Sequence, residues 1–272
     1  MTTDGHDVDI AIAAALAGAA VVRAAYGTAH TRHLKSGTDF ATEADLDAER
    51  AILGVIGAAR PADTRIGEES GEARGSTSRR WLVDPLCGTL NFAAHTPLFA
   101  VNVALMDGSS TIAAVSADPV TGELFWTDGD GVFVRRDGSD VPVRPTPESR
   151  LVDVNCDGPV DVPFVGPQLI GDPAFRALFG PRVLSTTLAV AWVAAGRRAA
   201  YVSDGTLTDN VHFAAGIALC RSAGCVVTDL AGQPLESGRG LIAAADVDTH
   251  GLLVQLVQPH LNEAVQAHAK RQ

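Results

Sequence analysis

The chain of 272 residues has no uninterrupted run of about 18 apolar residues, and without one a membrane span is not expected. The amino terminus, Met1-Thr2-Thr3-Asp4-Gly5-His6-Asp7, has neither a basic region nor an apolar core, so no secretory leader is expected. Cysteine is scarce: Cys87, Cys156, Cys220 and Cys225 show no CxxC or zinc-finger spacing. A few scattered thiols suit a reducing compartment, and the expectation is a soluble, cytoplasmic protein. Positive charge is also short, with 21 Lys and Arg against 32 Asp and Glu and a net charge of −11. Such a balance argues against nucleic acid as a partner. It also means that a phosphorylated small molecule would need a metal ion to come close. There is no internal repeat and no low-complexity tail, and the length suffices for a sizeable core in one domain or two closely packed halves.

The most informative stretch is Trp81-Leu82-Val83-Asp84-Pro85-Leu86-Cys87-Gly88-Thr89-Leu90-Asn91-Phe92. A short apolar strand runs into an acid, a proline and a Gly-Thr turn. That order presents a carboxylate, a backbone carbonyl and a hydroxyl at the carboxyl end of a strand, where open α/β sheets gather ligands. Upstream, the strand-like Thr64-Arg65-Ile66 leads into a second acidic turn, Gly67-Glu68-Glu69-Ser70. Two acidic turns separated by a short loop suggest a site for a hard divalent cation, which takes oxygen ligands.

Around these turns the pattern is mixed. Val8 to Ala25 reads as a packed helix, and Thr42 caps a second helix from Glu43 to Ile56. Arg74 to Arg79 reads as a mobile surface loop. Strands are expected at Leu98–Met106, Ile112–Ala117, Gly122–Thr127 and Gly131–Arg135. The Pro-rich stretch Val141 to Arg150 is the candidate boundary, dividing an α+β half, 1–145, from an α/β half, 146–272. In the latter, strands at Leu151–Val154, Ala199–Ser203, Cys225–Asp229 and Leu241–Ala244 alternate with helices at Asp172–Phe179, Leu188–Ala195, Phe213–Ala223 and Thr249–Val257. Gly224 is the expected stop of the third of these helices.

Taken together, these residues resemble the inositol monophosphatase family of metal-dependent sugar-phosphate phosphatases. The likeness runs through Lys35, Thr42-Glu43-Ala44-Asp45, Gly67-Glu68-Glu69-Ser70, Asp84-Pro85-Leu86-Cys87-Gly88-Thr89, Asp118-Pro119, Ala214-Ala215-Gly216 and Ser222-Ala223-Gly224. Several motifs in order carry far more weight than any one alone. The resemblance implies a layered αβαβα sandwich, a phosphomonoesterase acting on a small phosphorylated metabolite, often a homodimer, and up to three Mg²⁺ ions. By motif, Glu68, Asp84 and the carbonyl of Leu86 would hold the first ion. Asp45 and Thr89 would orient and deprotonate the attacking water, and Glu68 would help hold a third ion. Gly88 and Thr89 would offer backbone N–H groups to a phosphate oxygen. Charge neutralisation and an in-line water are what phosphoryl transfer requires.

The chain departs from the family pattern at two places. Cys87 stands where the motif has a second aspartate, and Val211-His212 stands where it has Trp-Asp. Both aspartates belong to the family's second metal site. A thiol and an imidazole suit softer ions such as Zn²⁺, or Mn²⁺, better than magnesium, and Asp209 is a candidate replacement carboxylate. Cys87 has three readings: a small inert filler, a soft-metal ligand together with His212, or a reactive thiol favoured as thiolate at the Gly88-Thr89 turn. His212 is either satisfied near a helix start or acts as ligand or general acid/base. Lys35 is either a surface charge or a cation near the phosphate. On the sugar side, Ser203 stands where the family has an acid, with Asp204 beside it. Two further functions stay open: a different reaction using Cys87 and His212, or a pseudoenzyme that binds a phosphorylated ligand.

Overall fold

The computed structural model describes residues 6–28, 31–35, 40–158, 164–205, 207, 210–235 and 238–269. In chain order the first elements are α1 (Asp7–Ala25), β1 (Arg32–Leu34), β2 (Phe40–Thr42), α2 (Glu43–Ala59), β3 (Thr64–Gly67), β4 (Gly71–Ala73), β5 (Arg79–Cys87), α3 (Thr89–Ala93), β6 (Ala100–Asp107), β7 (Ser110–Ala117), β8 (Leu124–Thr127), β9 (Phe133–Arg136) and β10 (Ser139–Pro142). They are followed by β11 (Leu151–Val154), α4 (Val165–Gly171), α5 (Pro173–Leu178), β12 (Gly180–Val183), α6 (Leu188–Ala194), β13 (Ala200–Ser203), α7 (Val211–Ala223), β14 (Val226–Thr228), β15 (Leu241–Ala244) and α8 (Val247–Ala269). Two compact units result. One takes the chain up to Pro142 together with Thr186–Leu188 and Val211–Ser222, and the other takes the remainder.

The first unit is built on an eight-stranded sheet of order β10-β9-β8-β7-β6-β5-β3-β4. The alternation of side chains along a strand divides its residues between two faces. Trp81, Val83, Val103, Leu105, Ala113 and Val115 lie with Ile10, Ala14, Ala48 and Ile52 of α1 and α2 in one core. Their sequence neighbours Leu82, Ala104 and Ala114 turn the other way and pack on Ala215 and Ala218 of α7. Helices therefore cover both faces of this sheet.

α1 is the packed helix expected at Val8 to Ala25, and by length and composition it is apolar enough to cross a membrane. The physical reason is the uncharged, Ala- and Val-rich segment from Ile10 to Val22, closed by acids only at one end. In the fold its apolar face is taken up by α2 and β7, with Ala11, Ala14, Ala15 and Val22 fully buried. Arg74 to Arg79 is also not the loose loop that its composition suggests. Gly75 N donates to Thr64 Oγ1 at 3.0 Å, and Thr77 Oγ1 donates to Asp63 Oδ1 at 2.8 Å, which pins the segment to the start of β3.

The second unit carries a five-stranded sheet of order β12-β11-β13-β15-β14. β11 runs parallel to β12 and β13, while β15 is antiparallel to both β13 and β14. Val152, Val154, Val202, Ile242 and Ala244 bury one face against Leu169, Phe175, Leu253 and Val257 of α4, α5 and α8. α4 and β12 have no sequence expectation, and α8 is much longer than Thr249–Val257. Gly224 does close α7, at φ 83°, a conformation that costs glycine nothing.

Candidate active site

The site forms where β3, β5, α2 and α7 of the first unit meet. β3 and β5 are parallel neighbours, and Glu68 N continues their ladder by donating to Val83 O at 3.1 Å. Glu68 and Asp84 thus leave the carboxyl ends of adjacent parallel strands. On β5, Asp84 shares the face of Leu82, the face covered by α7. Between Asp84 and Cys87 the pairing with β6 slips: Asp84 opposes Asn102, but Cys87 opposes Ala100. Three steps on β5 answer two on β6, so one residue is extra, and a bulge of this kind re-aims the side chains after it. Leu86 turns into the α1/α2 core, and Cys87 returns to the side of Asp84. Pro85 inside the bulge gives up no N–H that the ladder needs.

The water-orienting pair is anchored locally. Asp45 is the third residue of α2 and closes a capping box with Thr42. Its Oδ2 accepts from Thr42 N at 2.7 Å and from Thr42 Oγ1 at 2.6 Å, and its Oδ1 accepts from Thr89 Oγ1 at 3.1 Å. The same hydroxyl lies 3.2 Å from the carbonyl of Leu86. Gly88, at φ 108°, takes the left-handed turn that starts α3 and sets Thr89 in place. Asp45 is fully buried, and that burial raises its carboxyl above the usual range.

Three acid–base groups converge beside it. Glu68 and Asp84 are close enough to share a hydrogen bond. His212 Nδ1, from the first turn of α7, lies 2.8 Å from Asp84 Oδ2 and 3.8 Å from Glu68 Oε2. Burial, and then the charge of Asp84, push Glu68 up to about 8. Burial disfavours the imidazolium of His212 most strongly of any single effect, yet the hydrogen bonds and charges of Asp84 and Cys87 together outweigh it and the ring is pushed up to about 12. Asp84 accordingly stays below the ordinary carboxylate range, although it is wholly buried. Cys87 goes the other way: burial and Asp84 push the thiol up to about 11. The turn before α3 therefore does not give the lowered thiol that one reading of Cys87 required.

Lys35 is neither free nor bare. Its Nζ donates to Glu68 Oε1 at 2.8 Å and to Glu69 Oε1 at 2.7 Å, so it braces the acidic turn. Asp204 belongs to the second unit, where it is buried, pairs with Arg239 and accepts from Val165 N at 2.8 Å. Its carboxylate is engaged there by an internal partner. Asp209 lies outside the described residues.

Two residues that shape the site, Glu49 and Asn102, carry no role in the sequence reading. Glu49, almost wholly buried on α2, accepts from Glu69 N and Ser70 N, each at 2.8 Å, and so shapes the turn that carries Glu68. The signal was its position four residues after Asp45, on the same helix face. Asn102 Nδ2 donates to Thr187 Oγ1 at 2.7 Å, and Thr187 hydrogen-bonds Cys87. An asparagine inside an otherwise apolar strand was the signal there, because a buried amide needs a partner.

The fit to divalent metal can be judged from the donors. Glu68, Asp84 and the Leu86 carbonyl are hard oxygens, suited to magnesium. A proton held between two facing carboxylates marks a place where a cation is favourable. These donors fit the ion.

Comparison with known proteins gives the family. The chain matches the inositol monophosphatase family over residues 6–264. It is 31% identical over 233 residues to an inositol-1-monophosphatase of Caulobacter vibrioides, covering 81% of this chain and 88% of that protein. To the Nus factor SuhB of Escherichia coli it is 32% identical over 246 residues, covering 85% and 87%. The crystal structure of the extragenic suppressor protein suhB from Bartonella henselae superposes with a TM-score of 0.81 at 30% identity, covering 91% of this chain and 97% of that one. The chain belongs to the inositol monophosphatase family, and its mixed α/β layered fold matches the family's structures. The family is metal-dependent, and the family description and the name of the Caulobacter relative point to a phosphatase.

Proposed function

We propose that this chain is a metal-dependent phosphomonoesterase of the cytoplasm that acts on a small phosphorylated metabolite. The observation that supports it best is the convergence of the Asp45–Thr89 pair, the Leu86 carbonyl and the Glu68/Asp84 carboxyls around one spot. Magnesium would be held by Glu68, Asp84 and the Leu86 carbonyl. When bound, it would neutralise phosphate charge and make a nearby water easier to deprotonate. Thr89 spends its proton on Asp45, which leaves its oxygen lone pairs to accept a hydrogen from a water. Asp45 is fixed by two bonds from Thr42, and its raised basicity suits it to draw the proton through Thr89. Lys35 keeps Glu68 on station. The backbone N–H groups at the start of α3 would be offered to a phosphate oxygen. The homodimer implied by the resemblance belongs to the same reading and is checked by sedimentation equilibrium.

A phosphate-release screen over inositol, sugar and nucleotide phosphates with Mg²⁺, Mn²⁺ and Zn²⁺ tests the reading. Ion-dependent release from at least one class is expected, and silence across all of them overturns it. Cys87 and His212 favour a second reading, a ligand-binding or differently reacting member of the family. Thermal stabilisation by a phosphorylated ligand without turnover would support that reading instead.

A further inference from the structure

Asp84, Cys87 and His212 present a carboxylate oxygen, a sulfur and an imidazole nitrogen that all lie within 4.8 Å of one another. With metal–ligand bonds of about 2.0–2.3 Å, the donor atoms of a tetrahedral zinc centre stand about 3.3–3.8 Å apart, so closure needs movements of about 1 Å. Two of the donors come from the bulged end of β5 and the third from the first turn of α7. Sulfur and nitrogen donors are poor partners for magnesium and good ones for zinc. Three protein ligands with a fourth position left to water is the arrangement of catalytic zinc sites.

The cluster also has the outer support that bound metals require. Leu86 N donates to Asp84 Oδ1 at 3.2 Å, which leaves Oδ2 directed at His212. Thr187 Oγ1 accepts the amide hydrogen of Asn102 at 2.7 Å. Its own proton is therefore left for the sulfur of Cys87, its hydrogen-bond partner. A hydroxyl aimed at a ligand sulfur stabilises the thiolate form that binds metal. Asp84, Asn102 and Thr187 are all essentially buried, so this chain of contacts is shielded from water.

We propose that Asp84, Cys87 and His212 form a zinc site, with Asp84 as the carboxylate shared between it and the magnesium held by Glu68 and Leu86. Thr187, oriented by Asn102, is its positioning residue. The proposal deepens the phosphatase reading by naming the second ion, but the metal site stands or falls on a measurement that needs no turnover.

Cobalt serves as the spectroscopic probe. The full chain, in excess Mg²⁺, is titrated with Co²⁺ while the near-ultraviolet sulfur-to-cobalt charge-transfer band is followed. One equivalent of Co²⁺ with that band, displaced by Zn²⁺ and not by further Mg²⁺, is expected. Cys87→Ala abolishes the band, and His212→Ala weakens binding at least tenfold. Thr187→Val weakens it roughly 10- to 100-fold with the band retained. Failure to bind Co²⁺, binding without the band, or a band unchanged in Cys87→Ala each overturns the site. The wild-type spectrum alone decides the thiolate question, so the test survives a variant that does not fold. Loss of phosphate release with the band intact would count against the phosphatase reading and leave the zinc site standing.

Discussion

Replacing Glu49 with glutamine keeps the size of the side chain and removes one acceptor. In the structure each carboxylate oxygen takes one N–H of the acidic turn, Oε2 from Glu69 and Oε1 from Ser70. In Glu49→Gln one of those oxygens becomes an NH₂, which faces an N–H donor with another donor. A hydrogen bond to a charged group contributes about 1.5–3 kcal/mol, and leaving the partner unsatisfied adds to the loss. The turn amides are only partly buried, so water recovers some of this, and a net cost of about 2 kcal/mol is expected. For a chain of this size that lowers the melting temperature by roughly 4–8 °C. Urea denaturation should show a lower midpoint at unchanged slope. Since the same turn carries Glu68, Mg²⁺ affinity should fall roughly tenfold, as expected for a lost outer support. Gly67→Ala offers a second handle, because its Cβ would stand 2.5 Å from the Glu49 carboxylate. An unchanged midpoint together with unchanged Mg²⁺ affinity in Glu49→Gln would refute the reasoning.

Asp84→Asn removes the charge that the first ion and His212 both use, and phosphate release should fall about 10²–10³-fold, with far-ultraviolet circular dichroism unchanged. Glu68 is raised from 4.5 to about 8, so between those values the folded chain binds more protons than the unfolded one. Stability without metal should therefore fall as pH rises through that window, and the raised His212 acts in the same direction from 6.5 upward. Mg²⁺ competes with the Glu68 proton, so its affinity should rise with pH up to about 8 and level off above it; calorimetric titration giving a flat profile below pH 8 would refute this. Ile52→Ala empties a fully buried site where a Cβ on Gly18 of α1 would stand 2.6 Å from Ile52. A loss of about 2–5 kcal/mol in denaturation experiments is expected.

Much of the site is legible where it is local. The Thr42–Asp45 capping box, the two acidic turns and the Gly88-Thr89 turn each depend on residues within a few positions, and each forms as the sequence suggests. Glu49 escaped notice because its partners, the amides of Glu69 and Ser70, lie 20 and 21 residues away. The pinning of Arg74 to Arg79 was hidden for a similar reason: loop composition does not reveal partners on the rim of another strand. The α1 helix is legible from its apolar, Ala-rich run, while only its packing on α2 and β7 distinguishes a core helix from a spanning one.

The amino-acid order alone determined the family, the order of its motifs, and the local geometry that turns and helix caps impose, because those depend on short-range hydrogen bonds and steric limits. Only the tertiary structure decided which donors stand together. The bulge between Asp84 and Cys87 depends on pairing with β6, and the meeting of Asp84 with His212 spans 128 residues. That meeting follows from α7 packing its Ala215 and Ala218 onto the sheet face that Leu82 and Asp84 share. No local pattern in the chain encodes which face of the sheet a distant helix will cover.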